Sequence, residues 1–232
     1  MLSIIIPALN EEKFLPKLLD SIKKQNLKDY EIIVADNNSK DKTRAIAKKY
    51  NCKLVKGGLP AAGRNSGAKA AKGEILFFID ADCIIKNNFL DKALKQFKKR
   101  DLDIAGCYVK PLSNKIFDSI IFSIFNFWIF STQLFYPNAP GSGIFCKRSI
   151  HKKIKGFDEK LKLSEDMDYV KRASKHGKFR ILSKVKTYTS MRRFDKEGRF
   201  TICWKLFLSS IYRIFFGEIK TNIFHYSLNY RK

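Results

Sequence analysis

The chain has 232 residues, of which 45% are hydrophobic and 13% aromatic, a length and composition that suit one domain with a full core and exclude a disordered chain. Lys and Arg outnumber Asp and Glu by 46 to 22, and the net charge of +24 predicts an anionic partner: nucleic acid, an acidic membrane surface or a phosphorylated ligand. The five cysteines are scattered without a Cys-x-x-Cys pair, which argues against a zinc site or a disulfide framework and favours reduced thiols in a cytoplasmic protein.

Strand and helix patterns alternate through the first third of the chain. Leu2–Ile6 predicts a buried first strand; it stops at Pro7 and is too short for a signal peptide, so we expect the protein on the cytoplasmic side. A helix is expected from about Glu11, and a second helix is expected after Ser39 or Asp41 as its cap. Further strands are expected at residues 31–35, 52–56 and 75–79, with a small-residue helix at 61–72. This order predicts a doubly wound α/β fold, a mostly parallel sheet flanked by helices.

Two acids, Asp80 and Asp82, directly follow the fourth predicted strand. Ligands collect at the carboxyl ends of parallel strands. Because side chains alternate along an extended chain, both carboxylates are expected to point the same way, and they repel each other unless a cation lies between them. The suitable cation is a hard one, Mg²⁺ or Mn²⁺, shared with phosphate oxygens. The alternative reading of the pair is a solvated turn.

The run Ile116–Phe135 is almost wholly apolar and follows a predicted helix at 88–99 and a predicted strand at 103–109. Asp118 lies near its start. A thin polar stripe recurs at helical spacing and consists of Ser119, Ser123, Asn126 and Gln133. The run is long enough to span a bilayer, but its polar atoms and its place inside the domain favour a helix in a membrane interface or on a partner. A buried core helix is the remaining alternative.

The last part of the chain combines strands, an acidic helix start and a basic end. A strand at 144–147 follows Gly141–Gly143, and two more strands are expected at 179–182 and 185–189. Between them, Ser164 is expected to cap a helix with an acidic first turn.

Arg199–Phe216 predicts an amphipathic surface helix with a basic edge, and not a spanning one. The basic, aromatic tail to Lys232 suits anionic headgroups.

Polar residues follow the ends of several predicted strands. In a parallel sheet the loops after neighbouring strands meet at one edge, so we expect these groups to line one cleft. The groups are Pro7–Glu11, Asp36, Arg64, Asn65, Asp80, Asp82 and Glu165–Asp166. Together they supply a carboxylate for a base or ribose, an arginine for a diphosphate, a metal site and a carboxylate for the reacting group. This set suits a nucleotide-diphosphate donor.

The chain resembles family 2 glycosyltransferases with the GT-A fold. The matching segments are SIIIPALNEE (Ser3–Glu12), EIIVADNNSKDKT (Glu31–Thr43), AAGRNSGAKAAKGEILFFIDAD (Ala61–Asp82), GIFCKR with GFDE (Gly143–Glu159) and SEDMDY (Ser164–Tyr169). Several motifs in family order are more specific than any single one. The resemblance implies a GT-A domain at 1–195, with a nucleotide-binding half at 1–105 and an acceptor half at 106–195. An amphipathic, basic helical tail is expected at 196–232.

The resemblance also implies roles for individual residues. Donor contacts are implied for Pro7, Ala8, Asn10, Glu11, Asp36, Arg64, Asn65 and Asp80. Of these, the residues matching Ala8, Glu11 and Asp36 hold the nucleoside. Asp82, together with Asp80, is implied to hold Mg²⁺ or Mn²⁺. Asp166 is implied to be the catalytic base of a single displacement with inversion at the anomeric carbon, and Glu165 either orients Asp166 or favours the helix N-terminus.

Two features of the sequence indicate whether it resembles processive or non-processive family 2 glycosyltransferases. No Gln-x-x-Arg-Trp motif follows Asp166, which argues against processive polysaccharide synthesis. The segment Thr189–Phe194 resembles the Arg-Arg segment of small non-processive members, which implies that Arg192 and Arg193 lie near phosphate or the acceptor. The alternative for this pair is a solvated basic turn.

Two other functions are alternatives to sugar transfer. The first is a nucleotidyltransferase of similar fold. The acid in Pro7–Glu11, which is Glu11, argues against it because this residue would repel a triphosphate. The second is a nucleic-acid-binding protein. The basic residues are spread over the whole chain and not gathered in one motif, which argues against it. For a transferase, the acceptor is a hydroxyl or a polyprenyl phosphate. The two apolar helices predict a lipid-linked acceptor and peripheral attachment to an anionic inner membrane face, or a homodimer contact.

Overall fold

A mixed eight-stranded sheet forms the centre of the computed structural model, which describes residues 1–221 and 223. The strands are β1 (Leu2–Ala8), β2 (Tyr30–Asp36), β3 (Lys53–Lys56), β4 (Ile75–Phe78), β5 (Cys83–Ile85), β6 (Ile104–Pro111), β7 (Ile144–Lys147) and β8 (Phe179–Thr189). Their order is β3-β2-β1-β4-β7-β6-β8-β5. The pairs among β1 to β4 are parallel, and β7 is antiparallel to both of its neighbours.

Helices cover both faces of this sheet. They are α1 (Leu15–Lys23), α2 (Thr43–Lys49), α3 (Pro60–Ala70), α4 (Phe89–Lys99), α5 (Ile116–Thr132), α6 (Arg148–Lys153), α7 (Glu165–Ser174), α8 (Arg192–Glu197) and α9 (Arg199–Phe216). A 3₁₀ turn, Gly141–Gly143, precedes β7. The α/β architecture expected from the sequence is confirmed.

The central strand β1 is apolar on both faces because helices pack against both. Ile4 and Ile6 belong to the same core cluster as the apolar face of α1, whereas Ile5 belongs to the cluster on the α3 side. Each fully buried Leu or Ile contributes roughly 1.5–3 kcal/mol. A Cβ atom at Gly67 of α3 would lie 2.4 Å from Cγ2 of Ile5, so this helix approaches the sheet closely only because position 67 is a glycine.

The structure differs from the sequence expectations at several element ends. β1 continues through Pro7 to Ala8, and α1 begins at Leu15 because Glu11 to Phe14 form a turn. The three-residue β5 and the short α6 and α8 were missed, since such short elements carry little periodicity.

Two further expectations about the last part of the chain were wrong. The two strands expected at 179–182 and 185–189 are one strand, β8, whose pairing with β6 shifts register and leaves Ser183 and Lys184 exposed. Ser164 stands at the start of α7 with φ of 59°, but its side chain makes no capping hydrogen bond.

Of the predicted polar stripe, Asn126 of α5 and Gln133 just after the helix face the protein, whereas Ser119 and Ser123 are exposed. Asn126 donates to the backbone oxygen of Val109 over 2.7 Å and accepts from its backbone nitrogen over 3.0 Å, and Gln133 accepts from the backbone nitrogen of Ile181. Ser123 instead bonds within the helix, to Ser119. Phe122 and Ile129 are buried, but most of the other large apolar side chains of α5 are exposed, so in the described part of the chain this helix lies at the surface and not in the core.

Helix α9 has the bounds expected from the sequence, but its polar residues also point inward. Ser209 and Arg213 are buried, and Lys205 pairs with Glu197. The predicted basic edge is therefore used largely for internal contacts. Arg199, at the start of α9, binds both carboxylate oxygens of the fully buried Asp118 of α5 at 2.5 and 3.0 Å.

We call the exposed apolar side chains of α5 and α9, taken together, the apolar platform. Its exposed side chains are Ile116, Phe117, Ile120, Ile124, Phe127, Phe130, Phe200, Trp204, Phe207, Ile211, Phe215 and Phe216. Across residues 1–221 and 223, none of the helices combines the length and hydropathy needed to cross a membrane. Of the expected basic tail, residues 222 and 224–232 lie outside the described residues.

The segment after α9 returns to α7. Glu218 accepts from Arg213 at 2.7 Å and lies 3.5 Å from Lys171 of α7. Arg213 also contacts the sulfur of Met167, and the backbone oxygen of Ile219 accepts from Lys162. The platform is thus joined to the helix that begins at Glu165–Asp166.

Candidate active site

The loops that follow β1 and β2 are bound to each other at the carboxyl edge of the sheet. The backbone nitrogen of Glu11 donates to the hydroxyl of Thr43 over 2.7 Å, and that of Asn10 donates to Ser39 over 2.9 Å. Asn10 adopts a left-handed conformation with φ of 53°, which asparagine tolerates better than most residues. These bonds fix the turn from Leu9 to Glu11 beside the end of β2.

Asp36, the last residue of β2, is almost completely buried. One oxygen, Oδ2, accepts from Nε of Arg44 at 2.7 Å and from the backbone nitrogen of Ser39 at 3.1 Å. The other oxygen, Oδ1, is buried without a hydrogen-bond partner among the described residues. A buried acceptor without a donor is costly, so this atom is suited to receive an N–H or O–H from a ligand.

Arg64 of α3 connects the two ends of the cleft. Its Nη2 lies 2.8 Å from Oδ1 of Asp80, and its Nη1 lies 2.7 Å from Oε1 of Glu165. The guanidinium group also lies over the ring of Phe157, 5.4 Å from its centre. Arg64 is buried, so both charged contacts are largely protected from water.

Asp166 lies at the start of α7, beside this arginine. Its Oδ2 accepts from the backbone nitrogen of Gly141 at 2.7 Å, and its Oδ1 accepts from that of Met167 at 2.8 Å. Burial raises the pKa of Asp166 to about 6; the Glu165 carboxylate adds to the rise and Arg64 opposes it. The carboxylate is therefore ionised near neutral pH and has the proton affinity that suits a general base.

Arg192, the first residue of α8, enters the cleft from the opposite side. Its Nη2 lies 2.5 Å from Oε1 of Glu11 and 3.2 Å from Oδ2 of Asp82. Its guanidinium group lies over the ring of Phe14 at 4.6 Å. Arg193 instead pairs with Glu197 at 3.1 Å. Both arginine side chains are mostly buried, so the solvated basic turn is wrong.

Asn65 is engaged in structural contacts. Its Oδ1 accepts from the backbone nitrogen of Phe157 at 2.8 Å, and its Nδ2 donates to the backbone oxygen of Phe157 and to Glu159. These bonds hold the turn at Gly156, where φ is +73°. The contacts favour a supporting role for Asn65, whereas the sequence predicts a donor contact.

The sequence profile described as "Glycosyl transferase family 2" matches residues 3–154, which is more than half of the chain. The chain belongs to glycosyl transferase family 2. The matched range contains the strand-end residues from Pro7 to Asp82 and ends before Asp166.

Curated relatives of this glycosyl transferase family 2 chain are longer proteins. It is 26% identical to "Poly(ribitol-phosphate) beta-N-acetylglucosaminyltransferase TarS" of Staphylococcus aureus (strain Mu50), over 82% of the chain and 35% of that protein. It is 33% identical to "Uncharacterized glycosyltransferase EpsJ" of Bacillus subtilis, over 46% of the chain and 33% of that protein. The matches thus span about a third of the length of these two relatives.

Two solved structures share the fold. The structure of S. aureus TarS in complex with UDP-GlcNAc matches with a TM-score of 0.66 and 24% identity, covering 82% of the chain and 58% of that structure. Mannosyltransferase PcManGT from Pyrobaculum calidifontis, in complex with GDP-Man and Mn²⁺, matches with a TM-score of 0.66 and 19% identity, covering 81% and 56%. The expected GT-A fold is confirmed.

The acidic residues provide only part of a metal site. In the portion of the chain that the structure describes, no three His, Cys, Asp or Glu side chains are grouped to hold a metal ion. Asp80 and Asp82 each contact a different arginine. Mg²⁺ and Mn²⁺ are commonly held by one or two carboxylates with substrate phosphates and water. Asp82 fits such an ion if the phosphates of a donor supply the remaining ligands.

Three contact residues of the cleft were missed as functional candidates in the sequence. Phe14 supports Arg192, Phe157 supports Arg64, and Gly141 donates to Asp166. A Cβ atom at Gly141 would lie 2.4 Å from Nη2 of Arg64, so the glycine gives the arginine its space. The available signal was the Gly-Ser-Gly sequence directly before β7.

Proposed function

We propose that the chain transfers a sugar from a nucleotide-diphosphate donor to an acceptor hydroxyl, with inversion at the anomeric carbon. The observation that carries the proposal is the bridge through Arg64, which contacts Asp80 on the donor side and Glu165, the neighbour of Asp166, on the other. One cleft thereby combines a diphosphate-binding cation with a carboxylate able to accept a proton.

The donor would bind along the loops after β1, β2 and β4. Asp36 would accept an N–H of the base with its buried, unpartnered Oδ1, and the backbone around Ala8 would border the nucleoside. Asp82, with Asp80, would hold Mg²⁺ or Mn²⁺, which supplies positive charge to the leaving diphosphate. The solved relatives support this assignment, since their structures are described with UDP-GlcNAc, or with GDP-Man and Mn²⁺.

Asp166 would take the proton from the attacking hydroxyl as the bond to the anomeric carbon forms and the bond to the diphosphate breaks. Arg64 would stabilise the leaving group, and its positive charge lowers the pKa of Asp166 and so favours the ionised carboxylate. Such base catalysis contributes about 10²–10⁴-fold. A polyprenyl phosphate acceptor is already an anion and would need little help from a base.

The apolar platform supports a membrane-bound acceptor. Two helices joined by the Arg199–Asp118 ion pair expose many Phe, Ile and Trp side chains, and exposed apolar surface of this kind marks membrane or protein contacts. The net charge of +24 favours an anionic lipid surface over a second, equally basic copy of the chain. We therefore place the protein peripherally on the inner face of the cell membrane, acting on a lipid-linked acceptor.

The donor proposal is tested by thermal unfolding with UDP, GDP and dTDP, each with and without Mn²⁺. Stabilisation by one diphosphate that depends on Mn²⁺ is expected, because a ligand that binds only the folded state raises its stability. An unchanged unfolding temperature with all three diphosphates would contradict the proposal.

A further inference from the structure

The guanidinium group of Arg192 lies between two carboxylates of the cleft, those of Glu11 and Asp82. It reaches Glu11 of the loop after β1 and Asp82 of the loop after β4 with the same nitrogen, Nη2. Glu11 is almost completely buried and Asp82 is mostly buried. A buried carboxylate is strongly destabilising unless a cation neutralises it. The guanidinium group of Arg192 therefore stabilises the cleft in the donor-free state.

The same carboxylate, Asp82, is required by the divalent ion of the proposed function. A divalent ion and a guanidinium group cannot both lie against one carboxylate oxygen without strong repulsion. We infer that Arg192 is a built-in counter-cation: it occupies the place of the metal ion at Asp82 and leaves it only when the metal–diphosphate complex binds. This exchange presupposes the donor and metal of the proposed function.

The surroundings of Arg192 allow the side chain to move without unfolding the domain. Helix α8 has six residues and none of them is fully buried. A cavity of about 190 Å³ adjoins the ion pair and is lined in part by Phe14, Asp82 and Ser190. The far end of α8 is held in place independently, because Glu197 pairs with Lys205 of α9.

The displaced guanidinium group has a second partner in the loaded cleft. A diphosphate bound beside Asp82 presents oxygens that arginine binds with two parallel hydrogen bonds. When metal ion and diphosphate bind together, the diphosphate replaces the carboxylate of Asp82 as the partner of Arg192. A metal ion alone offers no such partner. It follows that the metal ion binds together with the nucleotide and only weakly before it.

The test measures Mn²⁺ binding without nucleotide, by electron paramagnetic resonance of the free ion. Removal of the competing charge in Arg192→Met is expected to tighten Mn²⁺ binding by about 5–150-fold relative to the wild type, the range of ordinary coupling between sites. The matched control is Arg193→Met, which removes the neighbouring arginine of α8 and is expected to leave Mn²⁺ affinity at the wild-type value.

If Arg192→Met does not fold because Glu11 loses its partner, the double variant Arg192→Met/Glu11→Gln removes the buried charge and is expected to show the same gain. Equal Mn²⁺ affinity in wild type and these variants overturns the role of Arg192. That result leaves the proposed function standing if Mn²⁺ and a diphosphate together still stabilise the wild type. An absence of that stabilisation counts against the proposed function itself.

Discussion

Arg64 and Glu165 form a buried ion pair of 2.7 Å although 101 positions separate them in the chain. The pair places the start of α7 against α3, and through the second contact of Arg64 it places Asp166 near the loop of Asp80. The charge balance around Asp166 therefore depends on a residue from each half of the domain.

Substitution of the two residues of this pair is expected to move the pH dependence of activity in opposite directions. Arg64→Met removes the cation that lowers the pKa of Asp166, so the rate should reach its plateau at higher pH than in the wild type. Glu165→Gln removes a carboxylate that raises this pKa, so the plateau should begin at lower pH. The measurement is the pH profile of kcat/KM for release of nucleoside diphosphate. Shifts of both variants in the same direction would contradict this charge balance.

Asp166→Asn is expected to lower the transfer rate by more than about 100-fold, because the variant cannot take the proton of a hydroxyl acceptor. In the wild type the rate should rise with pH through about 6, where Asp166 ionises. The control is Asp168→Asn, two residues along α7, where the carboxylate pairs with Arg172 and contributes to stability instead. A mild loss in Asp166→Asn would identify a phosphate acceptor.

Gly141→Ala is expected to displace the side chain of Arg64 and so to lower both stability and the transfer rate. The added methyl group would lie 2.4 Å from Nη2 of Arg64, whose position is fixed by two carboxylates. Forcing an extra methyl group into such a packed place typically costs about 1–3 kcal/mol. Denaturant unfolding and the transfer rate should both report the change, whereas Ser142→Ala, which adds no atom, should alter neither. Full activity in Gly141→Ala would show that Arg64 has room to move.

The contact between α5 and α9 is expected to depend on pH. Hydrogen bonds from Arg199 hold the pKa of Asp118 below its ordinary value of 3.8, so this pair stabilises the fold above that pH and loses its effect as pH falls through the lowered pKa. Asp118→Asn should therefore lower the unfolding temperature at pH 7 and approach the wild type at low pH. Asp195→Asn removes the exposed partner of Arg199 and should have little effect.

The apolar platform is expected to bind vesicles that contain phosphatidylglycerol more strongly than vesicles of phosphatidylcholine alone. Phe127→Glu and Phe207→Glu place a charge on each helix of the platform and should abolish flotation with vesicles. Leu59→Glu places the same charge on an exposed apolar residue outside the platform and should retain binding. A wild-type dimer that these platform variants dissociate would show that a second copy covers this face.

Much of the fold was predictable because buried strands carry a local signal. Ile4, Ile5 and Ile6 form an apolar run that suits only a strand covered on both faces. The face of α5 was not predictable in the same way. Asn126 of α5 and Gln133, just after the helix, bond to the backbones of β6 and β8, and these partners become neighbours only after the sheet has formed.

The candidate site was predictable where residues follow strand ends, as with Asp36 and Asp82. The contacts between those residues were not. Arg192 meets Glu11 across 181 positions, and no local pattern shows which of the many basic residues of this chain enters the cleft. The same limit applies to Gly141, whose role depends on the distant side chain of Arg64.

The return of the chain from α9 to α7 gives the platform a second consequence. Arg213 and Glu218 connect a surface suited to lipid with the helix that presents Asp166. If that surface rests on a bilayer, the proton-accepting carboxylate stands at a constant height above the headgroups. The enzyme would then accept only those lipid-linked acceptors whose spacer has the length that brings the sugar hydroxyl to Asp166.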